Sequence, residues 1–307
     1  MTKNKVSIIG AGMVGSTTAY SLIAAQIAEE VAMIDINSRL NRSQVMDLQH
    51  SVPFWGYTEV KTGTINDLKD SRVVVIACGA SQKPGETRLD LLKINSKIIK
   101  DLMSEIFKKN PRIVVIIVTN PVDILTNIAV KMFPGHKNQI FGSGTILDTA
   151  RFRFLLGEKL SVDPKSLHAY IIGEHGDSEV PLWSKIMIGN TFLDRFQKIN
   201  KKEKENIFNN AKNAAYAIIA GKQATYYAIA AGVTHLVEAV LFDKKTVFTV
   251  SHSVDGRFGI KDVCLSLPAV IGEKGILKKI DIQISDEEKR LLKISAAKLK
   301  KAEKEIK

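Results

Sequence analysis

The sequence predicts a two-part chain: a doubly wound α/β half built on a parallel sheet, followed by an α+β half. Three observations carry that expectation. Short β-branched runs alternate with helix-like segments as far as Gly142. Those runs stay apolar at successive positions, the pattern of strands covered by helices on both faces. After Gly142 the alternation gives way to long helical stretches and then to closely spaced strands. The 307 residues, 45% of them apolar, suffice for a large core. The expected division is 1–142 and 143–307.

In chain order, "KVSIIG" (5–10) reads as a strand, a glycine turn follows, and a helix runs to about Glu29. "VAMIDI" (31–36) is the second strand and "NRSQVMDLQHSV" a helix; "TEVKTG" and "SRVVVIACG" (71–79) are further strands. A helix from about Thr87 to Lys109 leads to the buried strand in "PRIVVIIVTNP" (111–121). In the second half "LDTARFRFLLG" is helical, "LHAYIIG" reads as one strand, and 202–243 as one long helical stretch. "TVFTVSHSV" and "VCLSLPAVIG" suggest antiparallel strands, followed by "KKIDIQIS" and a C-terminal helix.

Composition excludes several classes. The longest uninterrupted apolar run, "IVVIIV" (113–118), falls far short of a membrane span. "MTKNK" passes straight into a strand, which argues against a signal peptide. Cys78 and Cys264 sit in apolar contexts and read as buried thiols in a reducing cytoplasm, with no metal-ligand spacing. The net charge of +12 comes largely from lysines alternating with glutamates near residue 201 and at the C-terminus. Such runs make solvated helix faces, and no interleaved aromatics offer base stacking, so nucleic acid is not an expected partner. The positive field would still draw in small anions.

"VSIIGAGMVGSTTAYSL" sets Gly10, Gly12 and Gly15 between the first strand and its helix. That order allows a tight turn, close backbone approach to a pyrophosphate, and helix–strand packing, the logic of a Rossmann dinucleotide site. Asp35 lies 20 residues past Gly15 at the end of the second strand. There it can accept the adenine-ribose hydroxyls and repel the extra phosphate of NADP, so NAD is expected; the plain alternative is a strand-end cap. The expected cofactor contacts are Gly10, Gly12, Met13, Val14, Gly15, Asp35, Gly79, Ala80, Thr119 and Asn120.

"IIGEHGD" (171–177) ends an apolar strand in a cluster of polar groups around His175. "GSGTILDTARFR" puts Asp148 and Arg151 three apart on one helix face. Asp148 can hold the imidazole and favour its protonated form, and Arg151 offers a rigid fork to a carboxylate. "GASQKPGETRLDLLKIN" (79–95) reads as a lid at about 81–88 rooted on a strand, with Arg88 near its end to polarise a carbonyl. Asn120 follows a buried strand at the ligand-binding edge of the sheet; it either hydrogen-bonds a substrate oxygen or caps the helix begun at Pro121.

Together "GAGMVGS", "GASQKPGETRLDLLKIN", "TNPVDILT", "GSGTILDTARFRFLLGE" and "IIGEHGDSEVPLWS" resemble, over almost the whole chain, the bacterial L-lactate dehydrogenases of the lactate/malate dehydrogenase family. The resemblance implies reversible hydride transfer between NADH and pyruvate. It makes His175 the proton donor and acceptor, Asp148 its partner, Arg151 the carboxylate clamp, Arg88 the lid arginine and Asn120 the carbonyl neighbour. Gln82 resembles the residue that faces the substrate side chain. A malate enzyme would carry arginine there, and glutamine would leave oxaloacetate's second carboxylate unpaired. Malate or a broader range of 2-hydroxy acids is the alternative. Aligning the paired tyrosines of "YYAIAAGVTHLVEAV" puts Val237 where most such enzymes have a pocket threonine, with Thr234 one turn earlier. Arg153 and His168 resemble the fructose 1,6-bisphosphate site of allosteric homotetramers in the family; unaided, the residues read as a surface arginine and a satisfied histidine.

Overall fold

The computed structural model describes residues 3–80 and 88–305, with the side chain of Arg88 outside that set. In the first half, strands β1 (Lys5–Ile9), β2 (Glu30–Ile34), β3 (Glu59–Thr62), β4 (Val73–Ile76), β5 (Val114–Ile117) and β6 (Ile140–Gly142) alternate with helices. The helices are α1 (Met13–Ala24), α2 (Ser38–Trp55), α3 (Arg88–Lys109) and α4 (Val122–Met132). The six strands are parallel in the order β3-β2-β1-β4-β5-β6, so the chain winds outward in both directions from β1 and β4.

Alternate side chains explain why these strands read as continuous apolar runs. Val6 and Ile8, Val73 and Val75, and Val114 and Ile116 enter one core with α1 and α2. Their neighbours Ile9, Val74, Ile76, Val115 and Ile117 enter the other with α3 and α4. Both faces are dry, so alternation with polar residues would be costly.

The second half begins with α5 (Ile146–Leu160). The run "LHAYIIG" is not one strand: β7 (Leu167–His168) and β8 (Ile171–Ile172) belong to different small sheets. Strand β8 pairs with β9 (Val180–Pro181), while β7 joins β10 (Met187–Ile188) and β11 (Thr191–Phe192). A short α6 (Leu193–Phe196) precedes α7 (Lys201–Lys222) and α8 (Tyr227–Leu241). The expected single helix over 202–243 is therefore two. It breaks at Gln223, which is left-handed at φ 68° and ends α7.

Strands β12 (Thr246–Ser253), β13 (Cys264–Gly272) and β14 (Gly275–Lys279) are antiparallel, as expected, but they form no separate layer. Ser251 pairs with Gly142, and the first-half sheet continues through β12 to nine strands. Helix α8 then lies against the first-half core with α1, and the C-terminal α9 (Asp286–Lys304) covers the opposite face. No described helix is long and apolar enough to cross a membrane. Cys264 is buried, but Cys78 is only partly so; burial pushes its thiol up to about 11, leaving it unreactive.

Candidate active site

The glycine loop has the steric form that a dinucleotide requires. Gly10 is at φ +113°, and a Cβ there would sit 2.5 Å from the Cys78 backbone nitrogen. A Cβ on Gly15 would meet the Gly10 carbonyl at 1.8 Å, so that glycine lets helix and strand touch. At Gly12 a Cβ would meet nothing within 4 Å. Gly12 is the N-cap of α1 with no side-chain cap, which leaves the first N–H groups of the helix open to an anion. Met13, exposed, and Val14 stand in that first turn.

Asp35 follows β2 and takes the Ala11 N–H at 2.7 Å on one oxygen and the Asn37 N–H at 2.8 Å on the other. The strand-end role weighed above is real, and each oxygen keeps a lone pair for a ribose hydroxyl. Across the cleft, Asn95 on α3 accepts from the Ala80 N–H at 2.8 Å and donates to the Asn120 carbonyl at 3.0 Å. A Cβ on Gly79 would collide with the Thr119 methyl at 2.7 Å, and the Thr119 hydroxyl donates to the Cys78 carbonyl at 2.6 Å. The two strand-end loops are thus locked together. Asn120 itself is exposed, and α4 starts on Pro121 without a side-chain cap, so the capping alternative is not what forms.

His175 lies just past β8 on the second half. Gly173 and Ser266 of β13 exchange backbone hydrogen bonds at 2.9 and 2.8 Å. Beyond that bridge, the Glu174 N–H donates to Ser295 Oγ at 2.7 Å and the His175 N–H to Asp123 Oδ2 at 2.7 Å. The imidazole Nδ1 meets Asp148 Oδ2 at 2.6 Å, and Asp148 Oδ1 accepts from Arg151 Nη1 at 3.2 Å. Asp148 is buried in the first turn of α5, while the His175 side chain is 25% exposed. With Nδ1–H held by the carboxylate, Nε2 is the nitrogen free to exchange a proton. Burial disfavours the imidazolium, but the charge and hydrogen bond of Asp148 outweigh it and raise His175 to about 9. Arg151 Nη2 is buried and has no partner among the described residues. A guanidinium with one fork tied to Asp148 and one unused is a binding point for an anionic oxygen.

The sequence matches the family described as "lactate/malate dehydrogenase, NAD binding domain" over residues 4–142, and its "alpha/beta C-terminal domain" over 145–307. The chain belongs to the lactate/malate dehydrogenase family. An L-lactate dehydrogenase of Acetivibrio thermocellus is 45% identical over 96% of this chain and 95% of its own length. That of Thermus aquaticus is 42% identical, over 97% and 98%. The crystal structure of a minor L-lactate dehydrogenase from Enterococcus mundtii in a ligand-bound form superposes with a TM-score of 0.96 at 35% identity, covering 100% of this chain and 99% of that one. The NAD-binding domain of the family is where the open glycine loop lies, and NAD is the cofactor.

Other expected residues lie apart from this group or outside the described residues. Val237 is fully buried in the core between α8 and the sheet, beside Val233, Leu236 and Val240. Thr234 is buried with its hydroxyl turned back to the Ala230 carbonyl at 2.9 Å. Gln82 and the rest of 81–87 lie outside the described residues, as does the Arg88 side chain at the start of α3. Arg153 donates through Nε to the Ala169 carbonyl at 2.8 Å and lies 4.7 Å over the Tyr170 ring; His168 on β7 is exposed.

Three contributors were missed in the sequence. Asp123 anchors the His175 backbone; burial raises its carboxyl to about 6, against the Ser251 hydroxyl and the His175 N–H. Asn95 ties the two loops, and Glu179 is buried beside Asp148. The signal for the first was an acidic residue opening the mostly apolar "VDILTNIAV" helix, though nothing there names its partner.

Proposed function

We propose that the chain is an NAD-dependent L-lactate dehydrogenase, interconverting pyruvate and (S)-lactate. The observation that carries this is the chain of contacts from His175 through Asp148 to Arg151, ending in an unused guanidinium nitrogen. NADH, when bound, supplies the hydride received at C2 of the 2-oxo acid. Arg151 pairs with the substrate carboxylate through its unused fork and fixes the molecule's orientation. His175 gives the Nε2 proton to the C2 oxygen, and Asp148 balances the imidazolium before the transfer. In the reverse direction neutral His175 takes the hydroxyl proton of lactate. Arg88 and Asn120 complete the oxygen's surroundings by the family resemblance, and the boundary between the cofactor and substrate halves falls at 142/143.

Gln82 supports pyruvate over oxaloacetate, because a neutral amide cannot pair a second carboxylate. Initial rates with NADH should be high for pyruvate and low for oxaloacetate, and NADPH should serve poorly. Gln82→Arg should move the preference toward oxaloacetate by at least an order of magnitude in kcat/KM, since one buried unpaired charge costs several kcal/mol. Unchanged ratios in that variant remove the argument for pyruvate.

A homotetramer activated by fructose 1,6-bisphosphate is the regulatory part of this reading, in a cytoplasmic setting. Exposed Met46, Phe54 and Trp55 on α2, and Tyr216, Ile219 and Tyr227 on α7 and α8, support subunit contacts. Arg153 lines a cavity of about 410 Å³ with Lys165, Tyr170 and His235, and symmetry-related cations suit a doubly phosphorylated sugar. The sugar bisphosphate should lower the KM for pyruvate in the wild type and leave Arg153→Gln unmoved. Superimposable wild-type curves with and without it defeat the activation.

A further inference from the structure

The turn that carries His175 is held from outside itself. Gly173, at φ +91°, and Gly176 border Glu174 and His175, and glycine is the residue least able to fix a backbone. The two N–H groups between them go to side chains from two different helices. Ser295 Oγ of α9 accepts from Glu174 at 2.7 Å, and Asp123 Oδ2 of α4 accepts from His175, also at 2.7 Å. Both acceptors are rigidly seated, Ser295 being 0% exposed and Asp123 2%. A Cβ on Gly173 would stand 2.9 Å from Ser295 Oγ, so the turn is pressed against α9 with no room for a side chain. Asp123 is fixed on the cofactor side as well. It is the second residue of α4, shortly after Asn120, whose carbonyl Asn95 of α3 holds at 3.0 Å. The Asn120 segment and the His175 turn come from different halves of the chain, and the Asp123 carboxylate joins them.

We propose that Asp123 and Ser295 are positioning residues, a two-helix clamp that sets where His175 stands relative to Asn120 and so governs proton transfer without governing substrate binding. This deepens the lactate dehydrogenase reading and rests on it for the substrate. Asp148 holds the imidazole through Nδ1 and fixes its tautomer. The clamp fixes something separate, the point on the main chain from which the ring springs. A displaced Cα carries Nε2 away from the C2 oxygen even when the Nδ1 bond survives, and small misplacements of a reacting group are costly. Arg151 reaches the substrate from α5 and is tied to Asp148, outside the clamp. Loss of the clamp should therefore slow the chemistry and leave the affinity for pyruvate nearly intact.

Asp123→Ala, assayed with NADH and pyruvate at about pH 7, should lower kcat by about 10–10²-fold while KM stays within about threefold of wild type. At that pH Asp123, raised by burial to about 6, is an ionised acceptor, and His175, at about 9, still holds its proton. Asp123→Asn keeps an oxygen for the His175 N–H and turns an amide toward the Ser251 hydroxyl, which has no partner among the described residues. Its kcat should return to within about threefold of wild type. Ser295→Ala, a change that a helix tolerates, should lower kcat several-fold at constant KM, and it serves if Asp123→Ala does not fold. In both alanine variants the solvent deuterium isotope effect on kcat should grow, as proton transfer replaces a lid or release step as the slow one. A mere loss of folded enzyme would scale the rate and leave that effect unchanged. Wild-type kcat in Asp123→Ala, no recovery in Asp123→Asn, or a wild-type isotope effect in Ser295→Ala overturns the clamp. Amide hydrogen exchange reads the same geometry without turnover: it should quicken at His175 in Asp123→Ala and at Glu174 in Ser295→Ala. If the wild type does not reduce pyruvate but exchange still quickens at those two amides, the substrate assignment fails and the clamp stands.

Discussion

Replacement of His175 by alanine should lower the rate of pyruvate reduction by on the order of 10²–10⁴-fold, the usual contribution of one positioned proton donor. Asp148→Asn is the more informative companion. The amide can still meet Nδ1, but the charge that outweighs burial is gone, so burial should then depress the imidazole below its ordinary value. The alkaline fall in kcat, expected near pH 9 for the wild type, should move below about pH 6.5. The same pair affects stability with a fixed sign. Because the folded value of His175 is raised, pairing contributes its full stabilisation below the ordinary histidine range, and that contribution is lost as pH rises through about 9. An Asp148→Asn profile superimposable on the wild type would mean that Asp148 does not govern the proton.

Arg151→Gln should raise KM for pyruvate by on the order of 10²–10³-fold, with kcat at saturation falling less. Removing one member of a buried ion pair costs about 3–5 kcal/mol, each 1.4 kcal/mol being tenfold. The loss is double here, because Asp148 Oδ1 loses its donor at 3.2 Å while the substrate loses its fork. Arg151→Lys should recover only part of the affinity, a single ammonium being unable to serve both carboxylates in that geometry. Steady-state kinetics decide this. A KM for Arg151→Gln within threefold of wild type rules out the clamp.

The parts of this protein legible in its sequence are those set by local periodicity. The strands of the parallel sheet announce themselves because both faces are buried, and Gly10 and Gly15 do so because a Cβ at either would run into backbone. His175, Asp148 and Arg151 were legible by residue type, and the structure brings the three together. What escaped were partnerships between distant segments. Nothing near Asp123 says that it will hold the backbone of His175, 52 residues away. "LHAYIIG" reads as one strand because its split between two sheets depends on β9 and β10. The burial of Val237 is of a different kind, since its own helix announces it. Ala230, Val233, Thr234, Val237 and Leu241 recur at helical spacing and are all buried, which marks the stripe that faces the sheet.

The join between Gly142 and Ser251 also bears on how the protein can be taken apart. Cut at residue 142, the cofactor-binding half would present β6 as a raw edge, with backbone donors and acceptors that β12 now occupies and a core face stripped of α8. Such an edge templates pairing with other chains. The first half is therefore a poor candidate for transplantation as a free-standing module. A chimera that borrows it must bring an antiparallel strand to close that border and a helix to roof the exposed apolar face, or the product will assemble with itself before it binds anything.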